Sequence, residues 1–407
     1  MKRTITLGEE RELAYAENRS QNPAKIRPIE GDKDPLAMHR FNVVSGDPSY
    51  ITYADGSQIL NILCLLTEAF KRWGYASAPY IAIAGKHGNP CGAAVDLRSP
   101  SAAIRKALAG DPVAVMGGEV ITNFPIGEAE SEELYAPQPE NDHFFKTDIG
   151  RANWGLDIIF APSFSEEAVE LLGKREKRRL LENASLLSPR MTPDDIELKP
   201  VRGSYLEQAV PKFVLAPAAL PYQPSGELMR FLMGNLGNML IAWAVCWRAS
   251  SNTVALAKEN MLIGLGCGQQ DRIACVRLCI DRATRAGHGT KGSFFASDAF
   301  FPYAVGSSLS SQEGMLLSKA LDDLRMIDSG TKFKTPKEYF RVAAPLVAEV
   351  NRFDRREGPE LLIDAGCIGG VVPFDGKNKE EVRKLFEEAG VSVAFLAPEN
   401  RGFSKHA

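Results

Sequence analysis

The amino-acid sequence predicts an α/β protein with layered helices and strands, and three observations carry that prediction. Short apolar runs bounded by glycine, proline or polar residues alternate with longer segments whose apolar residues recur at helical spacing. A chain of 407 residues with 44% hydrophobic and 24% charged residues is long enough to bury a large core. A polar, proline-bearing stretch at 192–208 separates two halves with the same alternation, so we expect two domains, residues 1–203 and 204–407.

The first half alternates regularly after a polar arm over residues 1–40 that prolines interrupt. Residues 54–74 repeat apolar side chains at helical spacing, and the final glycine is placed to end that helix. The run "YIAIA" predicts a buried strand leading into Lys86 and His87, and the small residues after this pair are able to start a helix. Next come a helix ("SPSAAIRKALAGD") and a strand ("DPVAVMGGEVITNF"). A strand, a turn and a helix then follow from "LDIIF" onward. The basic run 174–179 could hold phosphate, but the solvated end of the last helix is the favoured interpretation.

The second half opens on an uncharged run, Phe231–Trp247, whose length approaches the lower limit for a membrane span. Two glycines and two asparagines dilute its hydrophobicity and arginine flanks both ends, so we expect a buried helix and no membrane partner. Strand, hairpin, strand, glycine turn and helix are predicted over 250–283. A largely helical, charged insertion at about 307–358 precedes a closing strand, helix and strand over 367–398.

Composition and missing motifs exclude several classes of function. A formal net charge of −3 gives no basic footprint, so we expect no nucleic-acid partner. The five histidines form no H-x-x-x-H or H-x-E motif, and no G-x-S-x-G is present, which disfavours metal-dependent and serine hydrolases. The segment "GLGCG" has the spacing G-x-G-x-G, not the G-x-G-x-x-G of dinucleotide-binding proteins. Seven scattered cysteines without a C-x-x-C pair or signal pattern favour buried thiols in the cytoplasm.

The pair Lys86 and His87 lies where a predicted strand ends, a place where α/β sheets expose functional side chains. A histidine there can accept a proton near neutral pH, and an adjacent ammonium can stabilise an oxyanion or hold a phosphate. The alternative is structural: a solvated lysine beside a histidine that caps a helix.

Five segments, in order over nearly the whole chain, resemble motifs of one family: "KHGNPCGAAV", "IIFAPSFSEEAVELL", "VRGSYLEQ", "SSNTVALAKENMLIGLGCGQQDRI" and "ASDAFFPY". The family is AICAR transformylase, the formyltransferase part of the bifunctional purine biosynthesis enzyme that also carries IMP cyclohydrolase. The resemblance implies two cytidine-deaminase-like three-layer α/β lobes and a cytoplasmic homodimer whose active sites combine residues of both subunits.

The resemblance also implies a reaction, the transfer of a formyl group from 10-formyltetrahydrofolate to the 5-amino group of AICAR. The products are FAICAR and tetrahydrofolate. The histidine that matches His87 is the family's general base, and the lysine that matches Lys86 stabilises the transition state. That pairing suits the chemistry, because a conjugated amine is a weak nucleophile and needs both kinds of assistance.

The same matching assigns three groups of binding residues. Those expected to contact AICAR are Tyr15, Gly117, Asp157, Asn252, Arg272, Phe300 and, for the ribose phosphate, Arg401. Those expected near the folate are Ile273, Pro302, Gly376 and Lys377. Part of a monovalent-cation site, with K⁺ as the candidate ion, is expected at Ser251, Thr253 and Asp298. For Asp298, a helix-capping or buried structural role is the alternative.

Two departures from the family pattern keep other functions open. Ala14 replaces an arginine expected to hold the substrate phosphate, and Arg19 or Lys25 is the candidate substitute. Val305 replaces an acidic residue expected to bind the pterin. The alternatives are a non-catalytic protein that senses AICAR or a similar ribotide, and a formyltransferase with another donor or ribotide. We also expect no cyclohydrolase domain, so a separate IMP cyclohydrolase would follow in the pathway.

Overall fold

One mixed sheet runs through the part of the chain that the computed structural model describes, which is residues 4–136, 155–220, 226–306, 355–397 and 400, with a few residues between 313 and 346. The strands are β1 (Arg11–Glu12), β2 (Lys25–Ile26), β3 (Asn42–Ser45), β4 (Tyr80–Lys86), β5 (Asn89–Asp96), β6 (Glu119–Thr122), β7 (Ile158–Ala161), β8 (Arg179–Glu182), β9 (Ile196–Val201), β10 (Ser204–Ala209), β11 (Val254–Lys258), β12 (Met261–Gly266), β13 (Phe294–Ser297), β14 (Gly369–Pro373) and β15 (Ser392–Leu396). The helices that we label are α1 (Tyr50–Arg72), α2 (Pro100–Ala109), α3 (Glu128–Tyr135), α4 (Glu166–Gly173), α5 (Gly226–Gly234), α6 (Leu236–Arg248), α7 (Arg272–Arg285), α8 (Gly358–Asp364) and α9 (Lys379–Glu388).

Eleven strands form this sheet, in the order β15-β14-β13-β11-β12-β5-β4-β6-β7-β8-β3. Strands from the first half of the sequence occupy one end and strands from the second half occupy the other. The two sets meet where β5 pairs antiparallel with β12, through Ala94 and Met261. The halves therefore share one continuous sheet.

Each half contributes a five-stranded unit with the same internal order. The first unit is β5-β4-β6-β7-β8 and the second is β12-β11-β13-β14-β15. In both units the two pairings next to the junction are antiparallel and the two outer pairings are parallel. Each hairpin also carries a bulge at the corresponding place, beside Ala84 in β4 and beside Leu256 in β11. The fold is thus duplicated, although no repeat is evident in the sequence.

Helices cover both faces of the sheet and produce two separate cores. Along β4, Ile81 and Ile83 join one buried cluster while Ala82 and Ala84 join the other, as the alternation of side chains in a strand requires. The first cluster contains α1 and α6, and the second contains residues of α2, α4, α7, α8 and α9. The predicted layered α/β architecture is confirmed, and the cytidine-deaminase-like relationship stays a prediction.

Most predicted elements are confirmed. Helix α1 begins after Ser49, whose hydroxyl accepts a hydrogen bond from the amide of Thr52, and ends before Gly74 at φ +90°. Helices α2, α7 and α9 and strands β11, β12, β14 and β15 also lie where the patterns predicted them. The buried helix predicted over the uncharged run is confirmed from Leu236 onward as α6, nearly all of which is buried, but residues 231–234 belong to α5, which meets α6 at a 78° bend. The insertion predicted at about 307–358 lies largely outside the described residues.

One local prediction is wrong and a second holds only in part. The small residues after His87 form strand β5, not a helix, because two consecutive residues with positive φ turn the chain straight back along β4. The basic run 174–179 is a solvated helix end only at its start, where the exposed Lys174 caps α4, since Arg178 is buried and Arg179 begins β8. Arg178 is 1% exposed, and its guanidinium donates to the carbonyls of Leu156 and Leu172.

A two-stranded ribbon of β9 and β10 connects the two units. All of β10 is exposed, including Tyr205 at 67% and Leu206 at 58%. The predicted domain boundary at 203 falls in the turn of this ribbon and stays a prediction.

Among the described helices, none is by itself long and apolar enough to cross a membrane, and only α5 and α6 together pass that test, with a 78° bend between them. All seven cysteines are free thiols and six of them are buried.

Candidate active site

The Lys86–His87 pair lies at the tip of the β4–β5 hairpin. His87 (φ +55°) and Gly88 (φ +69°) form its two-residue turn, the φ pattern of a type I′ turn, which matches the twist of the two strands. Histidine is among the non-glycine residues that adopt positive φ more often than most. This geometry leaves the His87 side chain exposed and Lys86 half-buried at the end of its strand.

Gly117 leaves an open notch between the lysine and a carboxylate. The Lys86 ammonium donates to the carbonyl of Met116, which precedes this glycine. A Cβ placed on Gly117 (φ +72°) would lie 3.9 Å from Lys86 Nζ and 4.0 Å from Asp157 Oδ2. A positive and a negative group therefore face the same space, as a site that binds a small polar molecule requires.

Two arginines that the sequence analysis did not select complete this part of the site. Arg175 Nη2 lies 2.7 Å from Asp157 Oδ1. Arg179 Nη2 donates to the Tyr15 hydroxyl over 3.1 Å, and the guanidinium lies 5.7 Å from the centre of the tyrosine ring. Arg179 also lies beside Asp157 in the sheet, because its amide donates to the Asp157 carbonyl at 2.8 Å. Tyr15 on the N-terminal arm is thus brought to the Asp157 side of the notch.

A second cluster forms around Arg272, the first residue of α7. Its guanidinium donates to the Asn252 side-chain oxygen at 2.5 Å, to the Ser297 hydroxyl and Thr253 carbonyl at 3.2 Å each, and to the carboxylate of Asp298. The Asp298 and Arg272 side chains are only 1% and 10% exposed. Removing one partner of such a buried pair leaves an uncompensated charge, which costs about 3–5 kcal/mol.

Asp298 also holds the chain around the predicted cation site. Its carboxylate accepts from the Ser251 hydroxyl at 2.5 Å and from the Thr253 amide at 2.9 Å. The first unit has a counterpart, since Asn123 follows β6 as Asp298 follows β13, and its side-chain oxygen accepts from the Ile81 amide at 2.7 Å. These paired hydrogen bonds favour the structural alternative for Asp298.

Asn89 connects the two clusters. Its side-chain nitrogen donates to the His87 carbonyl over 3.4 Å, and its side-chain oxygen accepts from the Ser250 amide over 3.5 Å. The hairpin tip and the Ser250–Thr253 segment are therefore neighbours across the junction of the two units.

The residues predicted near the folate only partly come together. Gly376 lies against Phe300, a residue predicted to contact AICAR: a Cβ on Gly376 would touch the Phe300 ring, which packs against Phe374 and Phe395. The loop of Gly376 and Lys377 is held to the Pro302 carbonyl by a neighbouring asparagine side chain at 2.7 Å.

The remaining residues lie apart from these contacts. Ile273 lies half-buried against the second core. Arg19 is exposed in a short 3₁₀ turn of the arm, Ala14 is exposed, and Val305 is 57% exposed. Arg401 lies outside the described residues.

The duplicated units differ at the site itself. The second hairpin ends in Lys258 and turns through Glu259 and Asn260, both with positive φ, but offers no histidine. Ile368 takes the position of Asp157, because its amide donates to the carbonyl before β13 as that of Asp157 does before β6. The Lys–His–carboxylate arrangement therefore belongs to the first unit alone.

Together these features define an α/β protein built from two similar sheet units, one of which carries a Lys–His hairpin tip facing an open polar notch. Residues 1–282 match the family model described as AICARFT/IMPCHase bienzyme, and the chain belongs to that family. Relatives include the bifunctional purine biosynthesis protein PurH of Enterococcus faecalis, 29% identical over 321 residues that cover 77% of this chain and 54% of the relative. PurH of Bacillus thuringiensis is 30% identical over 312 residues, which cover 74% of this chain and 51% of the relative. The chain spans about half the length of the curated relatives it matches.

Proposed function

We propose that the chain is a transferase of purine biosynthesis that moves the formyl group of 10-formyltetrahydrofolate to the 5-amino group of AICAR. Membership of the AICARFT/IMPCHase family supports this class of reaction. The observation that carries it is the hairpin tip, which exposes His87 beside Lys86 at a notch open at Gly117.

In this proposal His87 removes a proton from the amine as its nitrogen attacks the formyl carbon. The Lys86 ammonium stabilises the negative charge that develops on the formyl oxygen. The bond between the formyl carbon and N10 then breaks, N10 receives a proton, and tetrahydrofolate leaves. The turn suits both roles, because it holds the imidazole and the ammonium on consecutive residues at the end of a rigid hairpin.

The ribotide would occupy the notch and the adjoining cationic surface. Asp157 and Gly117 would meet the base, and Asn252 and Arg272 would approach from the second cluster. A phosphate needs cations, and Arg179 beside Tyr15 is a stronger candidate than Arg19, because its guanidinium already lies against a predicted binding residue. Arg401 stays a candidate from the sequence.

The donor would bind beside the aromatic cluster of Phe300, near Pro302, Gly376 and Lys377, with Ile273 on α7 as a further predicted contact. Val305, exposed where the family pattern has an acidic residue, leaves donor recognition open to another folate or another donor. Ser251, Thr253 and Asp298 stay candidates for a K⁺ site from the sequence, but the Asp298 carboxylate already accepts hydrogen bonds from Ser251, Thr253 and Arg272, which favours its structural role. We further propose a cytoplasmic homodimer with shared active sites.

An assay of the purified 407-residue chain with AICAR and 10-formyltetrahydrofolate tests the proposal. We expect FAICAR and tetrahydrofolate in equal amounts, with no IMP until a separate cyclohydrolase is added. His87→Asn is the matched control and should lack activity. Binding of AICAR by calorimetry without any turnover would support the ribotide-sensing alternative, which the replacement of two family residues by Ala14 and Val305 favours. Turnover only with another donor or another ribotide would support the other alternative, a formyltransferase with different substrates.

A further inference from the structure

A buried glutamic acid lies directly behind the Lys86–His87 turn, and no role has yet been assigned to it. Glu119 is the first residue of β6, pairs with Gly85 in β4, and is only 2% exposed. A Cβ on Gly85 would lie 2.8 Å from Glu119 Oε1, so the carboxyl group packs against the backbone just before Lys86. Within the described residues, this oxygen has no hydrogen-bond partner.

The fold itself does not require a carboxyl group at this position. In the second unit the corresponding residue is Phe294, which pairs with Ala257 as Glu119 pairs with Gly85. The aromatic ring is fully buried. A buried polar atom without a partner costs about 1–3 kcal/mol, so an apolar residue would stabilise the first unit as well. The acid is therefore present at a cost to stability, in the unit that carries the histidine.

The charged and titratable groups around Glu119 define how it responds to pH. Asp55 of α1 approaches from one side, and its Oδ1 would lie 3.5 Å from a Cβ on Gly88 in the turn. Burial and then the Asp55 charge raise the pKa of Glu119 to about 8, while Lys86 opposes the shift. Cys91 of β5 also interacts with Glu119, and burial raises the pKa of its thiol well above the usual value. Glu119 is accordingly uncharged at neutral pH and becomes an anion in mild alkali.

We propose that Glu119 is a positioning residue for the Lys86–His87 turn, active in its uncharged form. Uncharged, it leaves the Lys86 ammonium directed at the Met116 carbonyl and the notch. As an anion, it places a negative charge behind Lys86 and His87 from the α1 face of the sheet, which weakens the positive field of the ammonium at the notch. The role in catalysis rests on the proposed formyl transfer, but the electrostatic coupling between Glu119 and the turn does not.

The electrostatic coupling between Glu119 and the turn is tested by NMR with ¹³C-labelled histidine. The His87→Asn variant assigns the His87 signal among the five histidines of the chain. In the native protein we expect the His87 signal to show an inflection near pH 8 that reports the ionisation of Glu119. Glu119→Gln, which has the same shape and no charge, should lose that inflection. Asp55→Asn removes the like charge and should move it to lower pH. An inflection near pH 8 that persists in Glu119→Gln, or that is absent from the native protein, would overturn the proposal.

The catalytic consequence is tested by the pH dependence of kcat, with each variant normalised to its own maximum. We expect kcat of the native protein to fall at least threefold between about pH 7.5 and 9, and the fall to move upward by a pH unit or more in Glu119→Gln. Glu128→Gln, an exposed acid on α3, is the matched control and should keep the native profile. A purely structural Glu119 predicts an altered melting temperature with an unchanged pH profile, which contradicts the proposal. If the protein does not turn over AICAR at all, the proposed function fails while the NMR result still decides the role of Glu119.

Discussion

The residue at the hairpin tip must satisfy two requirements at once: it must adopt a left-handed backbone conformation, and it must supply a titratable ring. An alanine at φ +55° would be strained, so a His87→Ala variant mixes the loss of the imidazole with a disturbed turn. Asparagine tolerates this backbone conformation and is the better probe of the ring.

We predict that His87→Asn lowers kcat at least a hundredfold while AICAR binds with little change, because a general base acts mainly on the transition state. Steady-state kinetics and calorimetric titration with AICAR give the two numbers. Lys86→Arg should retain more activity than Lys86→Ala, although the two cations differ in shape. A His87→Asn variant that kept a tenth of the native kcat would rule the residue out as the base.

The arginine beside Tyr15 supports a second prediction. Arg179→Ala should raise the KM for AICAR tenfold or more, as expected for the loss of a charge-assisted contact worth about 1.5–3 kcal/mol. The KM for the folate should change little. Arg19→Ala is the matched control, an exposed arginine on the same arm as Tyr15. A large effect for Arg19 and none for Arg179 would instead assign phosphate binding to Arg19, the residue that the sequence first suggested.

These residues also show what single-residue reasoning could predict. Lys86 and His87 stand out because a titratable pair directly follows an apolar strand. Arg175 and Arg179 do not, because a run of six charged residues resembles any solvated surface. Arg178 is buried among more exposed neighbours because it leads from the end of α4 into the start of β8. The sequence did not predict where these two elements end and begin.

At the scale of elements, the long amphipathic helices and most strands were predictable, but strand β5 was not. Strand β5 has the sequence "NPCGAAVD", in which alanine and glycine carry little preference for a strand. Its small residues serve close packing instead, since a Cβ on Gly92 would overlap the carbonyl oxygen of Ala107 in α2. Gly264 in β12 meets Cys279 of α7 in the same way. The packing that explains these glycines exists only in the folded protein.

This close approach predicts the effect of one methyl group. Gly92→Ala should destabilise the protein by about 2 kcal/mol or more, because backbone rather than a flexible side chain occupies the space, and Gly264→Ala should act in the same direction. Urea unfolding measures both. Gly234→Ala, with nothing within 4 Å of the added Cβ, is the control and should be neutral or slightly stabilising. A Gly92→Ala protein as stable as Gly234→Ala would contradict the packing of α2 on the hairpin.

At the scale of the whole molecule, two similar lobes were expected from the alternation and the family resemblance, but the residues show no repeat, because backbone geometry is preserved where residue identity is not. Gly117 and Gly292 both have positive φ before β6 and β13, while Asn123 and Asp298 make corresponding hydrogen bonds with different side chains. Sequence patterns therefore predicted the α/β class and most elements, but not the continuous sheet. The long-range pairing of β5 with β12 leaves no local signal in the sequence.

The ribbon of β9 and β10 bears on the proposed homodimer. An isolated two-stranded ribbon is marginally stable in water, yet this one exposes Tyr205 and Leu206, so burial against a second copy of the chain would stabilise it. We predict that the native protein sediments as a dimer and that Tyr205→Asp with Leu206→Asp shifts it towards monomer at micromolar concentration. Because the proposed active sites combine residues of both subunits, kcat per chain should fall at least tenfold in the same variant. Leu187→Asp, which charges an exposed leucine outside the ribbon, is the control and should keep the dimer. A native monomer with full activity would remove the shared site from the proposal, and a double variant that stays dimeric would place the interface elsewhere.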